Sequence, residues 1–250
     1  MSVALSSIVT LTAIPVVATI LGGVVASLKT PSERTRSFVQ HFAAGVVMAA
    51  VAGELLPEIT KGHQPLGVVI GFALGVAVML LIRQFAEHFE NRETDPEGAA
   101  PDRSAPGMNL ALIGVVGIDV LIDGLLIGVG FAAGERVGTL LVIALTLELL
   151  FLGVSVVSSL RQRGVTRQQS VQVVVGLSVL VILGALLGGS LLQGLTGLAL
   201  EIVLSFGAAA LMFLVVEELL TEAHSVKETP LNTASFFMGF VALYLLEILG

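Results

Sequence analysis

The sequence contains no cysteine, and few of its residues are charged. The absence of cysteine excludes a disulfide scaffold, a thiolate metal site and a cysteine nucleophile. Charged residues make up 12% of the 250 residues, roughly half of their share in an ordinary soluble domain. Lysine and arginine number 12 against 19 aspartates and glutamates, so the basic excess typical of a duplex nucleic-acid binder is missing.

Hydrophobic residues make up 55% of the chain, which is too many for a disordered protein. They form long continuous runs rather than alternating patterns, so they indicate membrane-spanning helices of about 20 residues and not barrel strands. We predict an all-α polytopic membrane protein, with the whole chain as a single transmembrane domain of eight spans. The predicted spans are 3–27, 34–59, 65–89, 107–131, 136–160, 171–192, 197–222 and 231–249, with a flexible cytoplasmic loop at 91–107.

Basic residues predict the orientation of the chain, since short cytoplasmic loops carry an excess of lysine and arginine. With eight spans, ten of the 12 basic residues fall on one side of the membrane, and Lys61 and Arg136 alone fall on the other. We therefore expect a multi-pass protein of the cell membrane, either a plasma or an inner membrane. Both termini are expected outside the cytoplasm.

Two segments of the sequence resemble each other. Val51–Glu58 (VAGELLPE) and Val215–Glu222 (VVEELLTE) share five of eight residues at an offset of 164, and the same offset superposes Phe42 on Phe206. The segments lie in spans 2 and 7, which cross in opposite directions in the eight-span topology. This pattern predicts an inverted repeat that relates spans 1–3 to spans 6–8 around a central pair, spans 4 and 5, as is common in transporters.

Three acidic residues fall near the middle of the central pair of spans. Asp119 and Asp123 are four residues apart in span 4 and share one helix face, and Glu148 lies near the centre of span 5. Each such charge costs roughly 2.5–3.5 kcal/mol on insertion scales. The apolar runs 104–134 and 137–160 contain no lysine or arginine to neutralise it. A bound cation or protonation would offset the cost, so we predict a metal or proton site; structural hydrogen bonding between protonated carboxyls is the alternative.

Other ionisable residues lie nearer to the ends of the spans. The ligand candidates are Glu54 on the entrance side and Glu217, Glu218 and His41 on the exit side. As an alternative, His41 is a hydrogen-bonded residue of the core. Glu58, Glu222 and His224 are equally well explained as solvated helix ends.

Two segments carry a family resemblance. Phe42–Glu58 (FAAGVVMAAVAGELLPE) resembles the second span of the ZIP (Zrt-/Irt-like) metal transporters, and Leu211–His224 (LMFLVVEELLTEAH) resembles their seventh. The eight spans and outward termini match as well, so the resemblance covers essentially the whole chain. It implies uptake of divalent metals, usually zinc, iron or manganese, into the cytoplasm, with an inverted repeat and a metal site on spans 4 and 5. We expect no enzymatic activity, the metal ion and the lipid bilayer as partners, no nucleic acid, and a homodimer as a candidate assembly.

The site motifs depart from the family pattern. The family's fourth span typically reads His-Asn-x-Pro-(Asp/Glu)-Gly where this chain has Asp119–Gly124 (DVLIDG), and its fifth reads (His/Gln)-(Glu/Asp)-x-Pro-Glu-Gly where this chain has Glu148–Gly153 (ELLFLG). By this correspondence the resemblance implies Asp119, Asp123 and Glu148 as metal ligands. Leu152 occupies the fourth ligand position. Val120 and Leu149 occupy the two positions that would serve a second metal. Ile122 and Phe151 replace the two helix-bending prolines. These replacements argue against a two-metal site and against the standard transport route.

Ligand chemistry leaves the ion open. All three remaining ligands are carboxylates, which suit magnesium, calcium and manganese, whereas imidazole suits zinc, copper, iron and nickel. The residues favour a hard ion such as Mn²⁺, and the resemblance favours Zn²⁺. The leading hypothesis is transport of zinc, or of manganese or iron, through a midplane site by rocking of helix groups or by gating.

Three alternatives remain beside this hypothesis. One is a ZIP-like protein that binds or senses a cation without transporting it, and another is a carrier of a different solute. The third, an intramembrane diaspartyl protease, is disfavoured because both aspartates lie on one helix.

Overall fold

The computed structural model of the protein describes residues 5–29, 31–92, 110–192, 194–227 and 229–249. These residues form eight helices long and apolar enough to cross a membrane, and they contain no β-strand, so the predicted fold class and the number of spans are confirmed. The helices are α1 (Leu5–Leu28), α2 (Glu33–Gly62), α3 (Pro65–Arg92), α4 (Leu110–Ala133), α5 (Glu135–Gln162), α6 (Arg167–Leu191), α7 (Gly197–Ala223) and α8 (Pro230–Leu249).

Polar residues decide where two of the helices begin. The Ser32 side chain accepts a hydrogen bond from the backbone N–H of Thr35 at 3.2 Å and caps α2. Thr166 and Gln169 form a reciprocal capping box at the start of α6. Because the box adds a polar turn to the apolar run, α6 begins at Arg167 and not at 171.

The end of α3 also differs from the expected boundary. This helix continues to Arg92, past 89 and into the first residues of the predicted loop 91–107. The rest of that loop, 93–107, lies outside the described residues. The single transmembrane domain stays a prediction.

The helices pack as two sets of pairs. α1 packs against α5 and α4 against α6, while α2 packs against α8 and α3 against α7. If α1–α3 correspond to α6–α8 and α4 to α5, each pair has its counterpart in the other half of the chain. The inverted repeat itself stays a prediction, which this pairing supports.

Burial differs among the helices. α2, α4, α5 and α7 are the most buried, whereas α3 and α8 expose many large apolar side chains, such as Val69 and Phe237. Such faces suit a lipid environment, in which apolar side chains need no covering by protein.

Two glycines let the central helices contact their partners backbone to backbone. A Cβ at Gly124 of α4, the residue after Asp123, would lie 2.2 Å from the carbonyl oxygen of Val181 in α6. A Cβ at Gly153 of α5 would lie 2.1 Å from the carbonyl oxygen of Thr19 in α1. Small residues permit this close approach, which holds α4 against α6 and α5 against α1 beside the central acidic residues.

Two helices contain a widened, π-helical turn. It occupies Val51–Leu55 in α2 and Leu214–Leu219 in α7, within the two segments that resemble each other in sequence. Such turns are rare and frequently lie at functional sites. By contrast, α4 and α5 are uninterrupted and contain no proline. The irregular backbone thus lies in the helices that flank the central acidic residues, not in those that carry them.

Candidate functional site

Asp119, Asp123 and Glu148 converge between α4 and α5. Each offers one carboxylate oxygen, and these oxygens all lie within 4.8 Å of one another. Asp123 and Glu148 are 1% and 4% exposed, and Asp119 is partly buried. The two aspartates reach the same point because they lie one turn apart on one face of α4. The structure therefore brings together the three residues that the sequence singled out, here named the central cluster.

The buried oxygens of the central cluster lack compensation. Both carboxylate oxygens of Asp123 and Oε2 of Glu148 are buried without a hydrogen-bond partner among the described residues. Two carboxylates at 4.8 Å repel each other by roughly 3 kcal/mol at an effective dielectric constant of about 20. A cation between the three carboxylates would turn this repulsion into attraction, and protonation would remove it. The arrangement can therefore hold a cation.

A fourth carboxylate adjoins the central cluster. Glu218, in the π-helical turn of α7, interacts electrostatically with Asp119, Asp123 and Glu148. Its neighbour Glu217 forms an ion pair with Arg83 of α3 instead. Consecutive residues of a helical turn point in different directions, so Glu217 makes the close ion pair with Arg83, whereas Glu218 interacts electrostatically with Arg83 as well as with the central cluster. Of the two candidates on α7, Glu218 is the one that the structure brings near the cluster.

The positions expected to serve a second metal belong to the apolar core. Val120 and Leu149 are 0% exposed, and Ile122 and Leu152 pack against the same core. These side chains offer no ligand atom. The geometry therefore offers ligands for one ion among the three carboxylates, and none for a second ion beside it at these positions.

The entrance candidate Glu54 lies apart from the central cluster. Its Oε1 accepts a hydrogen bond from Nε of Arg136 at 3.2 Å, and Arg136 also donates to the carbonyl oxygen of Glu247 in α8. Arg136 is in the first turn of α5, so Glu148 lies about 18 Å further along that helix. A cavity of about 480 Å³ opens beside this pair, lined by Glu135, Arg136, Thr139, Leu140, Ile143, Leu246 and Glu247.

The exit candidate His41 lies at the opposite end of the bundle. Its side chain is 2% exposed, and Nδ1 lies 2.8 Å from the carbonyl oxygen of Ser37. Its ring meets the ring of His224 edge to face, with centroids 5.0 Å apart. Nε2 of His41 has no hydrogen-bond partner among the described residues. The residue is thus hydrogen-bonded in the core through one nitrogen only.

The residues around Glu222 connect this end of the bundle to α5. Glu222 pairs with Arg36 of α2, and its Oε1 accepts a hydrogen bond from Ser155 of α5 at 3.2 Å. Sequence reasoning counted Arg36, like Arg83 and Arg136, only toward orientation. In the structure, each of these arginines lies at the same level of the bundle as a glutamate on another helix and pairs with it.

One buried acidic residue was also missed. Glu201, in the first half of α7, is 3% exposed, and neither of its carboxylate oxygens has a hydrogen-bond partner among the described residues. It packs against Gly62 at the end of α2. Its position inside a long apolar segment is a signal that the sequence offered.

No protein-family model matches the chain. The zinc transporter ZIPB of Bordetella bronchiseptica is 30% identical to it over 244 residues. The match covers 92% of this chain and 77% of that protein, so it extends over most of the chain rather than a single motif.

Proposed function

The chain belongs to the ZIP family of metal transporters, and we propose that it moves divalent metal ions through one oxygen-lined site made of Asp119, Asp123 and Glu148. Membership makes the chain a multi-pass membrane transporter of divalent metal ions and not an enzyme. The observation that carries the site is the convergence of three carboxylates whose buried oxygens lack hydrogen-bond partners.

The charge of the central cluster suits a divalent ion. Three carboxylates around one M²⁺ leave about one negative charge, or none when one carboxyl is protonated. Glu218 lies close enough to add a further negative charge. The excess of negative charge therefore favours binding of a divalent cation.

We propose zinc as the main substrate, with manganese or iron as the alternatives. Zinc is supported by the relative that is named a zinc transporter. Manganese is supported by the donor set, because carboxylates suit hard ions such as Mn²⁺. Competition between Zn²⁺ and Mn²⁺ for uptake separates the two.

We propose that ions enter past Glu54 and leave toward the cytoplasm past Glu218, Glu217 and His41. The cavity lined by Arg136, the partner of Glu54, and the electrostatic interaction of Glu218 with the central cluster support this path. The distribution of basic residues supports the direction, with both termini outside the cytoplasm and the protein in a plasma or inner membrane. A homodimer stays part of the proposal.

We propose that the two sets of helices move relative to each other during transport. α1, α4, α5 and α6 contact one another as one group, and α2–α8 and α3–α7 are the pairs of the other. The central cluster lies on α4 and α5, and the π-helical turns lie on α2 and α7. Rocking of one group against the other, as expected for an inverted repeat, would expose the cluster to either side.

The test is uptake of Zn²⁺ and Mn²⁺ into lipid vesicles that contain the purified protein. We expect Asp119→Asn, Asp123→Asn and Glu148→Gln each to lower uptake at least about tenfold to a hundredfold, since loss of even an outer partner of a metal ligand has such an effect. Glu201→Gln is the matched control. It also removes a buried carboxylate without a hydrogen-bond partner among the described residues, but this one lies in the first half of α7, against the end of α2, and not in the central cluster. Wild-type uptake by Asp119→Asn and Glu148→Gln would refute the site.

Binding without transport is the second candidate function. It is favoured by Leu152 at the fourth ligand position and by the uninterrupted course of α4 and α5, which lack the helix-bending prolines. Tight Zn²⁺ binding by calorimetry together with no uptake into vesicles would select this function. Uptake of a different solute, driven by the ion, would select the remaining alternative.

A further inference from the structure

We propose that His41 and His224 form a second metal-binding site, made of two imidazoles, which receives zinc-class ions after they leave the central cluster. The proposal rests on the proposed transport function. It goes beyond that function by giving His224 a ligand role and by assigning metal selectivity to nitrogen donors at the predicted inner end of the protein.

The hydrogen bond of His41 prepares its other nitrogen for a metal. The partner of Nδ1 is the carbonyl oxygen of Ser37, and a carbonyl only accepts, so Nδ1 carries the proton. In the neutral ring Nε2 then has an open lone pair. That nitrogen is buried and has no partner among the described residues. Metal-binding histidines typically donate their second ring nitrogen to a backbone carbonyl in the same way, which fixes the tautomer and the ring orientation.

A buried polar network holds the two histidines together. The Ser37 hydroxyl donates to the carbonyl oxygen of Ala223 at 2.8 Å, and it accepts a hydrogen bond from Nδ2 of Asn232 at 2.8 Å. Ser37 lies one turn before His41 on α2, and Ala223 directly precedes His224 at the end of α7. Asn232, on α8, is 5% exposed. Three helices therefore cooperate to keep the rings at a centroid distance of 5.0 Å.

The histidine pair lies along a polar line from the central cluster. Ser155 is seven residues after Glu148 on α5, which places both on one helix face about 10 Å apart. The Ser155 hydroxyl donates to Glu222, which is two residues before His224. Leu152 lies on the same face of α5 between Glu148 and Ser155. An ion that passes this apolar residue meets polar groups that end at the two imidazoles.

The two sites differ in the metals that they favour. The central cluster offers oxygen only, which favours hard ions, whereas imidazole nitrogen favours zinc, copper and nickel over manganese and magnesium. Ions of both classes can therefore reach the central cluster. The histidine pair then accepts ions of the zinc class from the cluster in preference to manganese and magnesium. This arrangement reconciles an all-carboxylate centre with a zinc substrate.

The first experiment measures binding without transport. The full-length protein with ¹⁵N-labelled histidine is titrated with Zn²⁺ in nanodiscs, in the Asp119→Asn/Asp123→Asn/Glu148→Gln background that removes the central cluster. The chain has four histidines, so single His→Gln variants assign every ring signal. We expect Nε2 of His41 and one ring nitrogen of His224 to shift together at one equivalent of Zn²⁺. His63, exposed at the opposite end, is the control and should not shift.

The second experiment measures selectivity in vesicles with the central cluster intact. We expect His41→Gln and His224→Gln to lower Zn²⁺ uptake about tenfold, as for loss of groups around a metal, while Mn²⁺ uptake changes less than about twofold. His63→Gln should leave both rates unchanged. His224 is exposed, so its variant keeps the test valid even where His41→Gln fails to fold.

The outcomes separate this proposal from the proposed function. Absence of Zn²⁺-dependent shifts at His41 and His224 would overturn the histidine site, whatever the uptake rates. An unchanged Zn²⁺/Mn²⁺ uptake ratio in His224→Gln would overturn its role in selectivity. If the wild-type protein takes up no metal ion while the histidine shifts are present, the proposed transport is overturned and the histidine site still stands.

Discussion

The acidic residues at the centre of the bundle differ from those near its ends in their partners. Asp123 and Glu148 are buried with carboxylate oxygens that have no hydrogen-bond partner among the described residues. Three of the acidic residues nearer the ends are held by arginines from other helices, in the pairs Arg136–Glu54, Arg83–Glu217 and Arg36–Glu222. The end pairs join helices, whereas the central carboxylates without partners support the proposed ion site.

Equivalent positions in the two halves of the predicted repeat also differ in their partners. Glu54 and Glu218 correspond at the offset of 164, and both lie in a π-helical turn. Glu54 is held by Arg136, about 18 Å along α5 from Glu148. Glu218 interacts with all three carboxylates of the central cluster. In this conformation the cluster is therefore electrostatically continuous with the predicted inner end rather than with the outer one.

The largest effect is expected at Glu148 of the central cluster, where one substitution should lower uptake and raise stability. Glu148→Gln should lower Zn²⁺ uptake about a hundredfold because it removes a ligand. It should also raise the melting temperature in chelator, by roughly 2–4 °C for each kcal/mol of repulsion that the substitution relieves in a protein of this size. Uptake and thermal unfolding measured on the same preparation check both. A fall in melting temperature would show that the carboxylate stabilises the metal-free fold.

Restoring a fourth ligand is expected to have the next largest effect. Leu152→Glu adds a carboxylate one turn from Glu148, which should raise metal affinity about tenfold and lower the stability of the metal-free protein by about 1–3 kcal/mol. Calorimetry measures the affinity. Leu152→Gln, similar in shape but neutral, is the matched control. Equal affinities in both variants would mean that this position does not face the ion.

The glycine beside the cluster offers a test of helix spacing. Gly124→Ala would bring a Cβ to 2.2 Å from a carbonyl oxygen of α6, so the helices must separate. We expect a loss of about 1–3 kcal/mol of stability, with weaker metal binding. Gly114→Ala, on the same helix with open space around it, should be neutral or stabilising. Chemical denaturation in detergent compares the two, and equal stabilities would contradict the close approach.

The smallest effect is expected at the outer ion pair. Arg136→Gln removes the partner of Glu54, an interaction that is largely exposed on the arginine side and worth about 0.2–1 kcal/mol. Stability should therefore change little. The half-saturating metal concentration for uptake should fall about twofold, because an unpaired carboxylate then faces incoming cations, and added salt should abolish this gain. A rise in that concentration would assign Arg136 a direct part in uptake.

Most of the fold could be predicted because continuous apolar runs dictate membrane helices directly. The eight spans followed from run length, whereas the start of α6 was misplaced because its first turn is polar and depends on the capping box of Thr166 and Gln169. The π-helical turns in α2 and α7 were not predicted, although they lie in the two segments that resemble each other, since that resemblance does not distinguish a π-helical turn from an α-helical one.

The acidic residues illustrate the same division. Asp119, Asp123 and Glu148 were identified from sequence because a charge inside an apolar run is costly wherever the helix packs. Their convergence within 4.8 Å, the contact of Glu218 with them and the pairing of Glu217 with Arg83 depend on tertiary structure. Adjacent glutamates are equivalent in sequence, and only the helices around them decide which one meets an arginine and which one meets the cluster.

The sequence by itself determined a membrane protein of eight helices whose central charges are all carboxylates, because composition and run length act locally. Tertiary structure alone decided which charges are neutralised by another helix. An ion pair between helices requires two side chains at the same level, and so does the meeting of His41 with His224. Those distances are set by backbone contacts such as that at Gly124, which bring residues far apart in the chain to one point.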